Sequence, residues 1–483
     1  MNAVFVLCVL CVSLAWGGTD ARWRGFNLLE MFIYSGKPTP GFQEQDFQFI
    51  HEHGFNFARL PMDYRFWIKD QQWDVIDESK LTPVDQAIAL GKKYQVHVQV
   101  AFHRIPGYTV AKPAETRDLF TDAEALRVAC LHWKTFAKRY KGIPSSELSF
   151  NLFNEPGQSD TICSNYVRVA TALVEAIRSE DPARFIVADG LAWGRFPVEG
   201  LYKLGIGQAT RGYSPMSISH YRASWVGTPT EYPAWPPASL NSPLMGAGKK
   251  EANKLYRFQN VPACRWTIAP ARVSGRVTVR VDGDGKKLFD FTVEAGQGSG
   301  WSDVVYHPEW KIAQATCKST FAFDIKEPIK DLQIRVEKGD WIGFQQMVCE
   351  QGSQRVVIPF SSNWGVESPV VAYTAKGFLP AGQAQTGAAY LLEQCVKPWL
   401  GAKQNNVFVM VGEAGAYRYT PHAIVIEWLE DNLKNWKEQN WGWALWNLRG
   451  AFGVLDSERE DVIYENYQGH KLDRAMLELL KRY

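Results

Sequence analysis

From Trp23 onward short apolar runs alternate with amphipathic stretches, and this alternation restricts the fold more than any other feature of the 483-residue chain. The pattern predicts strands at Gly25–Leu28, Asn56–Leu60, Val96–Phe102, Leu148–Leu152, Arg184–Ala188 and Met216–Ser219. Between them it predicts helices near Glu44–His53, Val84–Tyr94, Asp122–Tyr140 and Asn165–Ser179. From about Leu240 to Pro369 the helical period gives way to short strands with turns between them. Val277–Val281 and Leu288–Val293 flank Asp282-Gly283-Asp284-Gly285, a hairpin signature, and Phe321–Ile325 and Leu332–Val336 continue the alternation. The βα rhythm then resumes: a helix near Tyr390–Leu400, a strand at Val407–Val411, a helix at His422–Gln439, a strand at Trp441–Leu445 and a closing helix at Asp473–Lys481. Eight βα units interrupted once predict an α/β fold, a (β/α)8 TIM barrel with a β-sandwich inserted after strand six. The expected organisation is a signal peptide over 1–21, the first part of the barrel over 22–239, the sandwich over 240–369 and the rest of the barrel over 370–483.

Val4 to Trp16 is apolar except for Ser13, too short to span a bilayer, and is followed by small residues at Ala15 and Ala21. It reads as an export signal, which predicts a secreted, cell-surface or periplasmic protein without a membrane span. With 53 basic and 51 acidic side chains there is no excess positive charge to capture a polyanion, so nucleic acid is excluded as a partner. Aromatic residues reach 13%, a richness that suits the flat apolar faces of sugar rings. Cys130, Cys163, Cys264, Cys317, Cys349 and Cys395 match no zinc spacing and are read either as buried thiols or as supplying a bridge within Cys264, Cys317 and Cys349. No cofactor or metal site is expected. His51 and His53 fall on opposite sides of a helix, and the Asp282–Gly285 turn has Val293 where a calcium loop needs glutamate.

In a barrel of this kind the reacting groups sit at the C-terminal ends of the strands. Strand four runs out through Asn151-Leu152-Phe153-Asn154-Glu155-Pro156-Gly157, and strand seven through Val411-Gly412-Glu413-Ala414-Gly415. Either glutamate alone reads as a solvated loop carboxylate. Both at matching strand ends are what glycosidic cleavage needs, one to protonate the leaving oxygen and one to attack or to activate water. Each histidine, taken singly, reads as a satisfied core residue. Tyr64, Trp67, Trp193, Trp225 and Trp235 are candidate sugar-stacking platforms near the mouth, and Trp301, Trp310 and Trp341 are candidates on the sandwich.

The chain resembles glycoside hydrolase family 5, the cellulase-like retaining glycosidases. The resemblance rests on Arg59 in Phe-Ala-Arg-Leu-Pro, His103 in Ala-Phe-His-Arg, Asn154-Glu155-Pro156, His220-Tyr221, Gly412-Glu413 and Trp446 in Trp-Ala-Leu-Trp-Asn. It implies Glu155 as acid/base, Glu413 as nucleophile, Asn154 on the sugar 2-hydroxyl, Arg59 beside the nucleophile, and Trp446 as the floor of the attacked sugar's subsite. His103, His220 and Tyr221 become candidate substrate contacts. Two positions depart from the family pattern. Arg222 stands where a tyrosine often follows the strand-six histidine, and Ala414 stands where an aromatic residue often follows the nucleophile. The implied activity is hydrolysis of a β-linked carbohydrate, with endo-β-1,4-glucanase the first choice. Mannanase, exo-β-1,3-glucanase, glycolipid-cleaving and transglycosylase activities use the same residues, and a non-catalytic carbohydrate binder would not keep both glutamates with their escorts.

Overall fold

The computed structural model describes residues 22–483 apart from 228–232, 234, 237–239, 353, 363, 375–376 and 382–386. The expected signal peptide, 1–21, lies outside the described residues. The chain forms two compact units. One comprises the described residues up to Arg211 with Gly401–Glu413 and Trp436–Leu448; the other comprises Gly212–Leu400, Ala414–Asn435 and Arg449–Tyr483.

The first unit is built on eight parallel strands: β1 (Arg24–Asn27), β2 (Phe57–Asp63), β3 (His97–Ile105), β4 (Leu148–Asn151), β5 (Phe185–Asp189), β6 (Gly207–Gly212), β7 (Val409–Ala414) and β8 (Gly442–Leu445). They follow one another in sequence order, β1 pairs with β8, and β2 pairs with β3, so the sheet closes into a barrel. Helices α1 (Glu44–Glu52), α2 (Thr82–Tyr94), α3 (Ala123–Arg139) and α4 (Asp160–Glu180) follow β1 to β4. Asp122 and Ser159 start α3 and α4 by accepting hydrogen bonds from the otherwise unpaired first-turn amides. The buried face of α3 puts the Trp133 ring flat on Phe102 of β3, 3.9 Å between centroids. A similar burial pattern underlies α4, where Tyr166, Val169, Ala170, Leu173 and Val174 face inward.

Strand six is a correction to the sequence reading. Met216–Ser219 is a single helical turn, and the barrel strand is Gly207-Gln208-Ala209-Thr210-Arg211-Gly212. This strand carries no large apolar side chain, so an apolar pattern does not reveal it. Gly207 leaves room for Phe408 and Phe185, whose ring atoms would lie 2.9 and 3.0 Å from a Cβ there. Gln208 satisfies its buried amide on the backbone of Val198, donating at 3.0 Å and accepting at 2.9 Å. The helix expected at Tyr390–Leu400 is also broken into short pieces, Gly387–Leu391, Leu392–Val396, Lys397–Trp399 and Leu400–Gln404, with Pro398 at the break between the second and the last.

The second unit contains the β-sandwich. One sheet orders the strands Leu240–Ser242, Gln354–Ser362, Trp341–Gln351, Cys264–Ser274, Ile312–Cys317 and Trp301–His307. The other orders Lys286–Glu294, Arg276–Gly283, Ile329–Lys338, Tyr256–Val261, Val371–Thr374 and Gly377–Pro380, so its last two strands lie beyond Pro369. The hairpin at Asp284-Gly285 is formed as its turn residues require, with both at positive φ (46° and 79°). The two inner faces share one apolar core, including Phe258, Trp266, Val279, Ile334, Ile342 and Ile358. The six cysteines among the described residues are free thiols, and Cys264 and Cys349 share a side-chain hydrogen bond rather than a bridge.

Trp266 is fully buried and packs against Phe258 and Phe378 at 5.0 and 5.5 Å. Trp266→Ala should therefore destabilise the sandwich by about 3–5 kcal/mol through lost burial and a cavity. Urea unfolding followed by near-ultraviolet circular dichroism checks this, and a midpoint within error of the wild type would show that the core does not depend on this ring.

Candidate active site

The middle of β2, the segment after β4 and the ends of β5, β6 and β7 bring five ionisable side chains into one cluster. Arg59, at the centre of β2, is completely buried. A buried guanidinium needs acceptors for its fork of N–H groups, and the neighbouring strands supply them. Its Nη1 donates to Asn27 Oδ1 at 2.9 Å and to Glu413 Oε1 at 2.7 Å. Nε and Nη2 both donate to Asn151 Oδ1, at 3.0 and 2.9 Å, and Nη2 reaches Asn154 Oδ1 at 3.2 Å. The Asn27 amide continues the network by donating to the carbonyls of Gly412 and Leu445. Arg59 thus ties β1, β2, β4 and β7 together and fixes one oxygen of Glu413.

Glu155 follows β4 in a left-handed backbone conformation, φ 51°, which costs a non-glycine residue about 1–3 kcal/mol. Two contacts hold it there. Its amide donates to Asp189 Oδ2 at 2.9 Å, and its carbonyl accepts from the Tyr108 hydroxyl at 2.8 Å. The Tyr108 oxygen in turn accepts from the Gly157 amide at 3.1 Å. Burial, followed by the nearby charge of Glu413, raises the Glu155 carboxyl to about 7, with Arg211 opposing that rise.

His103 of β3 lies beside Phe32 and Trp446, 4.4 and 5.8 Å between ring centroids. Burial and then the charges of Arg59 and Arg211 push it well below the ordinary histidine range, so its imidazole is neutral. Phe32 and Trp446 meet edge to face at 5.1 Å. Asn154 Nδ2 and His103 Nδ1 are buried polar atoms without a hydrogen-bond partner among the described residues. Such atoms are uncommon, and in a site they are groups that a ligand can satisfy.

A match to the family described as Cellulase (glycosyl hydrolase family 5) covers residues 15–212. Residues 15–212 of the chain are thus similar to the glycosyl hydrolase family 5 catalytic domain. It is similar to Endoglucanase C of Acetivibrio thermocellus, 26% identical over 193 residues, which is 39% of this chain and 55% of that protein. It is also similar to Endoglucanase 3 of Fibrobacter succinogenes, 22% identical over 45% of this chain and 35% of that one. The chain thus spans about half the length, or less, of these relatives. A solved structure titled as a glycoside hydrolase aligns over 96% of this chain and 99% of its own, at 25% identity and TM-score 0.62.

Arg59, His103, Asn154, Glu155, Glu413 and Trp446 all belong to the first unit. His220 and Tyr221 belong to the second, where His220 meets Tyr213 and Phe452 edge to face, 5.0 and 5.9 Å away. The Arg222 guanidinium lies over the Tyr221 ring at 5.2 Å. Of the suggested stacking platforms, Tyr64, Trp67, Trp235 and Trp341 are buried and serve packing, Trp301 is partly buried, and Trp193, Trp225 and Trp310 are exposed. Trp193 sits next to the Glu155 loop, its amide donating to the Pro156 carbonyl at 2.9 Å. Among the described residues no three His, Cys, Asp or Glu side chains are grouped to hold a metal ion, and no helix is long and apolar enough to cross a membrane.

Sequence reasoning missed Asp189 and Arg211. For Asp189 the signal was present, a lone charged residue ending a barrel strand and followed by Gly190, whereas Arg211 lies on the strand that the apolar pattern does not reveal.

Proposed function

We propose that this chain is a retaining β-glycoside hydrolase that acts internally on β-1,4-glucan, with Glu155 as acid/base and Glu413 as nucleophile. The observation that carries the reading is the asymmetry between two clustered glutamates. Glu413 is held by a buried guanidinium, whereas Glu155 is raised to about 7 and so keeps a proton available near neutral pH. In the first step the Glu155 carboxylic acid protonates the glycosidic oxygen as the Glu413 carboxylate attacks the anomeric carbon. The C–O bond to the leaving group breaks and a glycosyl ester on Glu413 forms. In the second, ionised Glu155 takes a proton from water, which attacks the same carbon and releases Glu413. Asn154 Nδ2 is the donor for the sugar 2-hydroxyl, and Trp446 and His103 line the subsite of the attacked sugar. The glucan assignment draws on the endoglucanase names of the relatives. The expected export signal implies a substrate outside the cytoplasm.

Reducing-end and viscosity assays on carboxymethyl cellulose, mannan, xyloglucan and β-1,3-glucan test the specificity. The expected result is fastest turnover of the β-1,4-glucan, with viscosity falling ahead of reducing-end release. Release of monosaccharide alone would contradict internal cleavage, and preference for mannan or β-1,3-glucan would move the assignment to that polymer.

The pH profile follows from the same asymmetry. Glu155 must be protonated for the first step, and its protonated fraction declines as pH rises through about 7. Above that point kcat/KM should fall by about tenfold per pH unit. A flat profile to pH 9 would remove Glu155 as the proton donor.

A further inference from the structure

Arg211, next to last in β6, has its guanidinium between both glutamates. Nε donates to Glu155 Oε1 at 3.0 Å, Nη2 donates to Asn154 Oδ1 at 2.9 Å and to Asp189 Oδ2, and Nη2 lies 3.4 Å from Glu413 Oε1. The side chain is 4% exposed. Its neighbourhood is shaped around it: a Cβ on Gly194 would come within 2.8 Å of Arg211 Cγ, and a Cβ on Gly412 within 2.8 Å of Nη1. Asp189 is shared, since its Oδ2 also accepts the Glu155 amide and its Oδ1 accepts from Asn151 at 3.0 Å. One fork therefore fixes the Glu155 side chain, while the carboxylate it pairs with fixes the Glu155 backbone.

We propose that Arg211, acting with Asp189, is a positioning residue that aims the Glu155 carboxyl and sets the pH at which Glu155 gives up its proton. This rests on Glu155 being the acid/base. The groups around Glu155 are Asp189 on β5, Arg211 on β6 and Glu413 on β7, with Arg59 of β2 paired to the same Glu413 oxygen that Arg211 approaches and His103 of β3 buried near both guanidiniums. The Tyr108 hydroxyl reaches Glu155 at its backbone carbonyl, 2.8 Å away. Two guanidiniums thus face three carboxyl groups, and one retained proton makes the cluster neutral. Taking Arg211 away leaves negative charge in excess, so Glu155 holds its proton to higher pH. The same guanidinium favours the ionised form that the water-activating step needs. Arg211 accordingly acts in both half-reactions without touching the bond that breaks.

The test is the pH dependence of kcat/KM on a soluble β-glucan for wild type, Arg211→Met, Arg211→Lys and Glu155→Ala, each first shown to be folded by circular dichroism. Arg211→Met should move the alkaline limb upward by about one to three pH units, the reverse of what a nearby cation does to a carboxyl group. It should also lower kcat by on the order of a hundredfold, because the acid is no longer aimed. Arg211→Lys should leave the limb near its wild-type position yet lose kcat by about tenfold or more with KM little changed, since a point charge cannot hold both carboxylates as a planar fork does. An unmoved limb in Arg211→Met, or wild-type kcat in Arg211→Lys, overturns the proposal. If Arg211→Met does not fold, the lysine variant decides alone. Glu155→Ala keeps the two failures apart: if it retains the limb, the acid/base assignment itself is wrong.

Discussion

Glu413→Ala is expected to lower kcat by on the order of a millionfold on every substrate, the scale seen when an enzyme loses the nucleophile of a covalent mechanism. On the proposed assignment the variant loses the carboxylate that forms the glycosyl ester, and it also strands a buried charge. Arg59 keeps Asn27, Asn151 and Asn154 but loses the carboxylate 2.7 Å away. Removing one partner of a buried ion pair costs about 3–5 kcal/mol, so folding must be confirmed before the rate is read. Azide should restore part of the activity by entering the space left by the side chain and attacking from the same side. A β-glycoside would then yield the α-glycosyl azide. Wild-type-like turnover would take Glu413 out of the mechanism, and a β-glycosyl azide would place the attacking group on the other face.

Glu155→Ala should behave differently. Substrates whose leaving group needs a proton should slow by about 10²–10⁴, the usual contribution of a positioned acid. A 2,4-dinitrophenyl glycoside, whose leaving group departs without help, should still form the glycosyl ester, and the ester should then accumulate for want of a base. Azide should relieve that block by attacking the ester, giving a β-glycosyl azide, the opposite anomer from the Glu413 variant. The alkaline limb near pH 7 should vanish, because the group that carries it is the one raised to about 7. Equal losses on the activated and the unactivated substrate would show that Glu155 does not deliver the proton.

Much of the barrel was legible because burial on both faces of a parallel strand demands continuous apolar runs. Val-His-Val-Gln-Val-Ala-Phe, which leads into and through β3, is apolar at alternate positions, and helix α3 was bounded by Asp122 and by its inward stripe. The hairpin at Asp284-Gly285 was legible from chemistry, since few residue pairs accept two successive positive φ angles. β6 was not legible. Its interior is glycine, glutamine and arginine, satisfied by the Val198 backbone and by carboxylates on other strands, and none of those partners is visible from the local sequence. The misplacement carried a cost for the site, because Arg211 stands on the strand that was missed. Asp189 was lost in a similar way: β5 was ended at Ala188, one residue short of the side chain that supports the Glu155 amide. Glu155 and Glu413 were singled out because strand-end position is a strong constraint in this fold. Their electrostatic surroundings were only partly found, because those depend on which distant strands become neighbours.

Proton NMR of the first-formed product tests the central claim most directly, since a two-step displacement on Glu413 inverts the anomeric carbon twice. A β-linked glucan or aryl β-glycoside, followed from the first minute, should release the β-anomer, with the α-anomer growing in only as mutarotation proceeds. Initial release of the α-anomer would mean a single displacement by water, and would contradict a nucleophilic role for Glu413.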